Sequence, residues 1–367
     1  MAFTVVRLYQ FRNFLDEKLT FTGKEIFLIG DNGQGKSNFL EAIYLLCYGS
    51  SFRTKKDELL INLQKNEASV YGNFLTEDNL TNEIKLLLKR KSKKEIYVNN
   101  KKITDRKEIL LTIPCVLFAP SDLDFVRGEP LKKRLFINQT LCLYDQNQLK
   151  ALQRYKRILL ERNSALRQYQ RDLLEIYNNE LVRTGFIIQQ KRAELLLLFN
   201  TIFKEVFSEI SGLKGEIKIG YFPSWRDCTN EKQCLEVLQK SEERDLLFKA
   251  TTTGPHRDNF YYFYEGRDYV KVASTGQIRL LAVILRIAQA IFFIKCSGHK
   301  PILLIDDVLL ELDQVKRERC LKNLPDYEQA FFTFLPDERY ENYGGISTER
   351  YFIHGGKIKR WKKQEIF

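Results

Sequence analysis

A chain of 367 residues can bury a large core and divide into two lobes. Its 44% hydrophobic content excludes wholesale disorder, and seven cysteines with no Cys-x-x-Cys pair and only three histidines argue against a zinc site or a disulfide framework. The net charge of +12 favours an anionic partner, nucleic acid or a membrane surface.

The N-terminal segment alternates like a strand and carries no signal-peptide pattern, and no stretch reads as the ~20 apolar residues that span a bilayer. A soluble cytoplasmic protein with reduced thiols is expected. Strands are expected through residue 29, ending in Ile26-Phe27-Leu28-Ile29. Gly30-Asp31-Asn32-Gly33-Gln34-Gly35-Lys36-Ser37 follows, and Asn38-Phe39-Leu40-Glu41-Ala42 opens a helix with an apolar face. Strand, glycine loop with Lys-Ser, and helix are the parts of a phosphate loop. Glycines let backbone N–H groups turn inward at the positive end of the helix. Lys36 is expected on the β- and γ-phosphates, and Ser37 on Mg2+. The chain is expected to bind a nucleoside triphosphate.

Beyond a polar connector at Gly49–Thr54, strands are predicted over Ala68–Phe74, Asn82–Lys89 and Glu95–Val98. The turns between them, Lys89-Arg90-Lys91-Ser92-Lys93-Lys94 and Asn99-Asn100-Lys101-Lys102, are basic. Phosphate contact and plain solvated hairpin tips remain open for both. Between 131 and 211 the chain is rich in Leu, Arg and Gln. Leu152, Leu159, Leu166 and Leu173 form one seven-residue series; Leu181, Ile188, Leu195 and Ile202 form another, flanked by Phe199 and Val206. The spacing predicts two long helices packed as an antiparallel pair. The α/β pattern then resumes, so an α/β head built from both ends of the chain is expected around an inserted helical arm. The expected boundaries are 1–120, 121–235 and 236–367.

Two later motifs complete the reading. Ser274-Thr275-Gly276-Gln277 opens an apolar helix, a second anion-binding helix end. A head-to-tail dimer explains it, with Ser274 of one subunit capping nucleotide held by the other; a simple helix cap is the alternative. Ile302-Leu303-Leu304-Ile305-Asp306-Asp307 is an apolar strand ending in two acids. Asp306 is expected to bind Mg2+, and Asp307 to orient or deprotonate the attacking water.

Together these motifs resemble the ABC-type ATPase heads of the structural-maintenance-of-chromosomes class, and more closely the RecF family of recombination mediators. The RecF-like pieces run in order along the chain. They are Phe11-Arg12-Asn13-Phe14, the phosphate loop with Asn38-Phe39-Leu40-Glu41-Ala42, and Ser51-Phe52-Arg53-Thr54. Phe118–Leu123, Gly128-Glu129-Pro130, Tyr155-Lys156-Arg157 and Arg162-Asn163 continue the set. Thr253-Gly254-Pro255-His256-Arg257-Asp258, the Ser274 motif, Leu303–Val308 and Glu311-Leu312-Asp313 close it.

The resemblance implies an ATP- and Mg2+-dependent homodimer that hydrolyses ATP slowly, stimulated by DNA. It implies binding to double-stranded DNA and to junctions between single and double strands. It also implies a role in replication, recombinational repair and the SOS response, loading RecA on gaps covered by single-strand-binding protein (SSB) with RecO and RecR, at the nucleoid. By the same carry-over, residues Gly30 to Asn38 cradle phosphate, and Ser274, Gly276 and Gln277 reach the partner's nucleotide, with Gln277 assisting catalysis. Asp313 lies at the dimer seam, Thr333 senses the γ-phosphate, and Arg53 lies beside the nucleotide. Asn138 stands where the family has Asp, and Leu310 where it has Ser, implying lost hydrogen bonds at the seam and slower hydrolysis. His256 and Arg257 are read as organising a loop on the nucleotide side, and Cys228 and Cys234 as ordinary thiols.

Two competing readings share parts of this pattern. One is the nucleotide-binding subunit of a membrane transporter, which the basic charge, the helical insertion and the acids at 306 and 307 fit poorly. The other is a scaffold that binds ATP without turning it over.

Overall fold

The computed structural model describes residues 1–361 apart from 77, 105–106, 111, 144, 339 and 346. It divides into two compact units, residues 1–120 with 293–367 and residues 121–292. The segment 236–292, expected in the second part of the head, therefore clusters with the helical unit. The cause is local: its strands pair and pack with elements of that unit.

In the first unit, β1 (Ala2–Tyr9) and β2 (Asp16–Thr20) precede β3 (Glu25–Ile29), and β4 (Glu67–Leu75), β5 (Thr81–Lys89), β6 (Glu95–Val98) and β7 (Lys101–Ile103) follow. Among the described residues β2-β1-β4-β5-β6-β7 form one antiparallel sheet. A register shift between Phe3 and Val5 turns Val6 and Leu8, rather than Val5 and Arg7, inward. Asn99 and Asn100 both take positive φ (49° and 63°), the backbone of a two-residue hairpin turn. Lys101 and Lys102, expected in that turn, instead begin β7.

The second sheet of this unit contains β8 (Cys115–Phe118), β12 (Ile302–Ile305), β13 (Gln329–Phe334), β14 (Thr348–His354) and β15 (Lys357–Arg360), with β3. Its order is β15-β14-β3-β13-β12-β8, parallel except at β15. Parallel strands covered on both faces are mostly apolar, as β8 and β12 are throughout and β13 is apart from buried Gln329 and Thr333. The helix Lys36–Tyr48 packs on β4 and β5 and also on β8 and β13, so it lies between the two sheets. That position explains why Phe39, Leu40, Ala42, Ile43, Leu45 and Leu46 are all fully buried.

The helical unit contains the helices Pro130–Cys142, Gln146–Arg167 and Arg171–Ser211, so the region expected to hold two long helices holds three. Pro130 starts the first, where a missing N–H costs nothing. Asp145 caps the second by accepting the Asn147 amide (2.8 Å). The Leu152 series marks the seam only in part: Leu173 lies beyond the break and is 38% exposed. Leu166 of the series is fully buried and Leu152 and Leu159 are half-buried against the core, and Tyr155, Ile158 and Ala165 supply the other buried positions. The Leu181 series is buried along the 41-residue third helix as its spacing predicts. Strands β9 (Ile217–Phe222), β10 (Asn259–Tyr264) and β11 (Arg267–Asp268) make a small antiparallel sheet beside these helices.

Helix Thr275–Ser297 is long and apolar enough to cross a bilayer, contrary to the sequence reading, but 72% of its most apolar window is buried inside the protein. Its composition is that of a core helix.

Candidate functional site

The phosphate loop leaves the end of β3 and runs into helix Lys36–Tyr48. Gly33 and Gly35 take φ of 79° and 126°, which residues with a Cβ rarely adopt. Gly30 is needed for a different reason: a Cβ there would come within 2.4 Å of the Ile353 carbonyl oxygen on β14. Lys36 is buried, and its Nζ donates to the carbonyls of Gly30 (2.7 Å) and Asp31 (3.2 Å). The ammonium is thus satisfied by the loop it belongs to.

Three neighbouring strands bring the remaining groups together. β12 delivers Asp306 and Asp307, β13 delivers Thr333, and β13 lies between β12 and β3. The Ser37 hydroxyl donates to Asp306 Oδ1 (2.7 Å). Burial pushes the Asp306 carboxyl up to about 6; the Ser37 hydrogen bond opposes this shift and the nearby Asp307 charge adds to it. Asp307 has φ of 53°, in the left-handed region. Thr333 Oγ1 accepts the Asp307 N–H (2.8 Å) and donates to Asp307 Oδ1 (2.6 Å). Lys36, Ser37, Asp306, Asp307 and Thr333 therefore share one end of the sheet.

Around the loop, Asn38 and Arg53, expected near the nucleotide, are joined by residues whose roles the sequence did not disclose. Asn13 Nδ2 donates to the Gln34 carbonyl (2.7 Å), and Asn38 Nδ2 donates to Asn13 Oδ1 (2.8 Å). Arg53 Nη1 donates to Asn38 Oδ1 (2.7 Å), which joins Arg53 to the first turn of the loop helix. Behind them Glu41 is fully buried and receives two hydrogen bonds from Arg12 (2.8 and 2.9 Å), with Ser51 also donating to it. The Phe11–Phe14, Asn38–Ala42 and Ser51–Thr54 segments thus meet at one buried carboxylate. Gly355 N–H donates to Gln34 Oε1 (2.6 Å) and Gly356 N–H to the Gln34 carbonyl (3.3 Å). The Gly355-Gly356 pair was the available signal for that turn.

In the helical unit, Ser274 and Gln277 form a reciprocal cap on helix Thr275–Ser297. Gln277 N–H donates to Ser274 Oγ (3.3 Å), and Ser274 N–H donates to Gln277 Oε1 (2.8 Å). Ser274 and Gly276 are exposed, and a Cβ at Gly276 would meet nothing within 4 Å. Asp313, in the first unit, caps helix Gln314–Lys322 by accepting the Lys316 amide (3.0 Å). Its carboxyl is held below the usual range by that same residue.

The Thr253–Asp258 motif is anchored within the helical unit. His256 Nε2 donates to the Thr251 carbonyl (2.9 Å), which leaves Nδ1 to accept from the Tyr155 hydroxyl (2.8 Å). Burial drives the His256 imidazole down to about 4. Arg257 also donates to the Thr251 carbonyl. Arg162 and Asp245, both fully buried, pair at 2.7 Å. Within the chain, Asn138 Oδ1 accepts from Arg192 (3.0 Å), whose charge is paired with Asp258 (2.7 Å). A neutral acceptor suffices because the counter-ion is elsewhere.

The RecF/RecN/SMC N terminal domain matches residues 3–345. The DNA replication and repair protein RecF of Treponema pallidum is 37% identical over 346 residues, covering 94% of this chain and 97% of that protein. RecF of Leptospira interrogans is 32% identical, covering 97% and 98%. A solved structure of the recombination mediator RecF with ATP is 29% identical, with a TM-score of 0.89 and coverage of 98% and 97%. A solved SMC head, 17% identical with a TM-score of 0.58, shares the fold. The paired acids after a buried strand, the phosphate loop beside them and this full-length similarity place the chain in the RecF family of DNA replication and repair proteins, built on an ABC-type ATPase head.

Proposed function

We propose that the chain is a nucleotide-switched, DNA-binding ATPase that works as a homodimer. The observation that carries this reading is the convergence of Lys36, Ser37, Asp306, Asp307 and Thr333 across three adjacent strands. Backbone amides from Gly30 to Asn38 bind ATP phosphates, and Lys36 exchanges its loop carbonyls for phosphate oxygens. Ser37 and Asp306 suit Mg2+: a hydroxyl and a carboxylate are hard oxygen donors, and burial leaves Asp306 short of neutralising charge. The ion would supply charge neutralisation at the phosphates.

Asp307 orients and deprotonates the attacking water, held in position by Thr333. Thr333 reports the γ-phosphate through that same contact. Ser274, Gly276 and Gln277 are free to face nucleotide on a partner subunit, and Asp313 lies near the seam. ATP closes the dimer on duplex DNA or on a junction between single and double strands, through phosphate-dominated and salt-sensitive contacts. Slow, DNA-stimulated hydrolysis releases it. In the cytoplasm, at the nucleoid, this switch serves the loading of RecA on SSB-covered gaps with RecO and RecR. Membership of the RecF family disfavours the transporter reading.

The test is solution mass without nucleotide, with ATP and with ADP, for wild type, Lys36→Met and Ser274→Arg. A dimer with ATP alone, lost in both variants, supports the mechanism. A monomer under every condition, with nucleotide still bound, overturns it. Turnover with and without DNA separates the switch from a non-hydrolysing scaffold.

A further inference from the structure

We propose that the outward face of the β9–β10 sheet is a stacking platform for the bases of an unpaired nucleic-acid strand. The inference rests on the DNA-binding reading above and names the form of nucleic acid this face takes. Ile217 and Ile219 of β9 and Phe260 and Tyr262 of β10 are buried. The alternate positions point outward, where an antiparallel sheet with one covered face ordinarily carries polar residues. Here three of them are aromatic: Phe222, Tyr261 and Phe263.

Their rings form one cluster, with centroids 5.3 Å apart for Phe222–Tyr261, 6.1 Å for Phe222–Phe263 and 6.4 Å for Tyr261–Phe263. Tyr261 is 38% exposed. Gly220 faces Tyr261 across the strands, and a Cβ on it would come within 2.6 Å of the Phe263 ring. The glycine therefore lets that ring lie across the neighbouring strand; the rings are inclined to one another, by 82° for Phe222–Tyr261, 50° for Phe222–Phe263 and 51° for Tyr261–Phe263, so each offers its own face.

Two cations frame the cluster. Lys133 Nζ lies 5.4 Å from the Tyr261 ring centroid, and exposed Lys218 lies opposite Phe263 in register. Neither lies within 4 Å of a carboxylate among the described residues, although half-buried Lys133 feels the charge of Asp268 at longer range. The nearby acid, Asp268 opposite Phe263, already accepts the Val270 amide (3.2 Å) and lies 3.9 Å from Lys271. Aromatic faces beside unpaired ammonium groups match the two parts of an unpaired strand, bases that stack and phosphates that need neutralising. A duplex offers the phosphates but keeps its base faces covered.

The experiment is fluorescence anisotropy on the full chain, with labelled oligodeoxythymidylate, oligouridylate and a duplex of equal length, for wild type, Tyr261→Ala and Tyr261→Phe. Tyr261→Ala is expected to weaken single-strand binding about tenfold and leave duplex binding unchanged, with Tyr261→Phe restoring it. Comparable losses on thymidylate and uridylate support a platform blind to the sugar; a loss on one alone restricts it to that strand type. Unchanged single-strand affinity in Tyr261→Ala overturns the platform, as does a change confined to solution mass, which would make this face a contact between copies. Wild type that binds duplex but no single strand defeats the platform alone, whereas wild type that binds neither defeats the DNA-binding reading as well.

Discussion

The Thr333 hydroxyl holds Asp307 at two atoms, accepting its amide proton at 2.8 Å and donating to its carboxylate at 2.6 Å. Asp307 needs such a restraint because its backbone is in the left-handed region, which is costly for a residue with a Cβ. Thr333→Val keeps the shape and removes both hydrogen bonds. Hydrolysis is expected to fall at least about tenfold while nucleotide affinity stays near wild type, and Thr333→Ser is expected to recover the rate. Steady-state turnover with titration of a fluorescent ATP analogue checks this; equal turnover in Thr333→Val disproves it.

The buried Arg162–Asp245 pair is flanked by Asn178 and Thr251, which also bind Arg162. Removing one charge strands the other, so Arg162→Met is expected to destabilise the protein by about 3–5 kcal/mol. Adding Asp245→Leu to Arg162→Met should recover part of that loss. Urea unfolding of the single and double variants is the measurement, and a double variant weaker than the single refutes the account.

His256 makes folding depend on pH. Its imidazole falls from an ordinary 6.5 to about 4 on folding because of burial, so between those values the unfolded chain binds the extra proton. Its stabilisation is complete above about 6.5 and is lost as pH falls towards 4, up to about 3 kcal/mol. The buried Asp306, raised on folding, contributes in the opposite direction over part of that range. Comparison with His256→Gln isolates the histidine: the gap between the two unfolding curves should change between pH 7.5 and pH 5. A constant gap rules the linkage out.

Asn138→Asp introduces the acid that the family resemblance implies at this position. Arg134 lies within reach of the Arg192 and Arg257 charges, with Asp258 as the opposing charge, so another carboxylate beside Arg192 adds balance. The substitution is expected to raise stability by up to about 1 kcal/mol, with a higher melting midpoint. A lower midpoint contradicts this.

Local patterns made much of the head legible. The phosphate loop and the acidic strand each declare their place within a few residues, and the parallel order then brings them together. β14 and β15 were harder to see. In β14 the inward positions are Glu349, Tyr351 and Ile353, so a buried carboxylate interrupts the apolar alternation. Glu349 is tolerated there because Thr22 and Tyr351 donate to it. The break between the long helices was hidden for a different reason. Tyr169, not Gly or Asn, takes the left-handed turn (φ 56°), so the leucine series runs through it without punctuation. Ser274 and Gln277 show that one motif can carry two readings: within one subunit their contacts are those of a helix cap.

The flanks of β3 set an order on the protein's synthesis. Its neighbours are β13 and β14, and the turn at Gly355-Gly356 completes the bonds to Gln34. A ribosome therefore releases the phosphate loop long before residues 329–356 exist to hold it, whereas residues 121–292 form a continuous unit available earlier. The nascent chain must carry an apolar, half-built nucleotide site through most of translation, and nucleotide competence arrives only with the last strands to emerge.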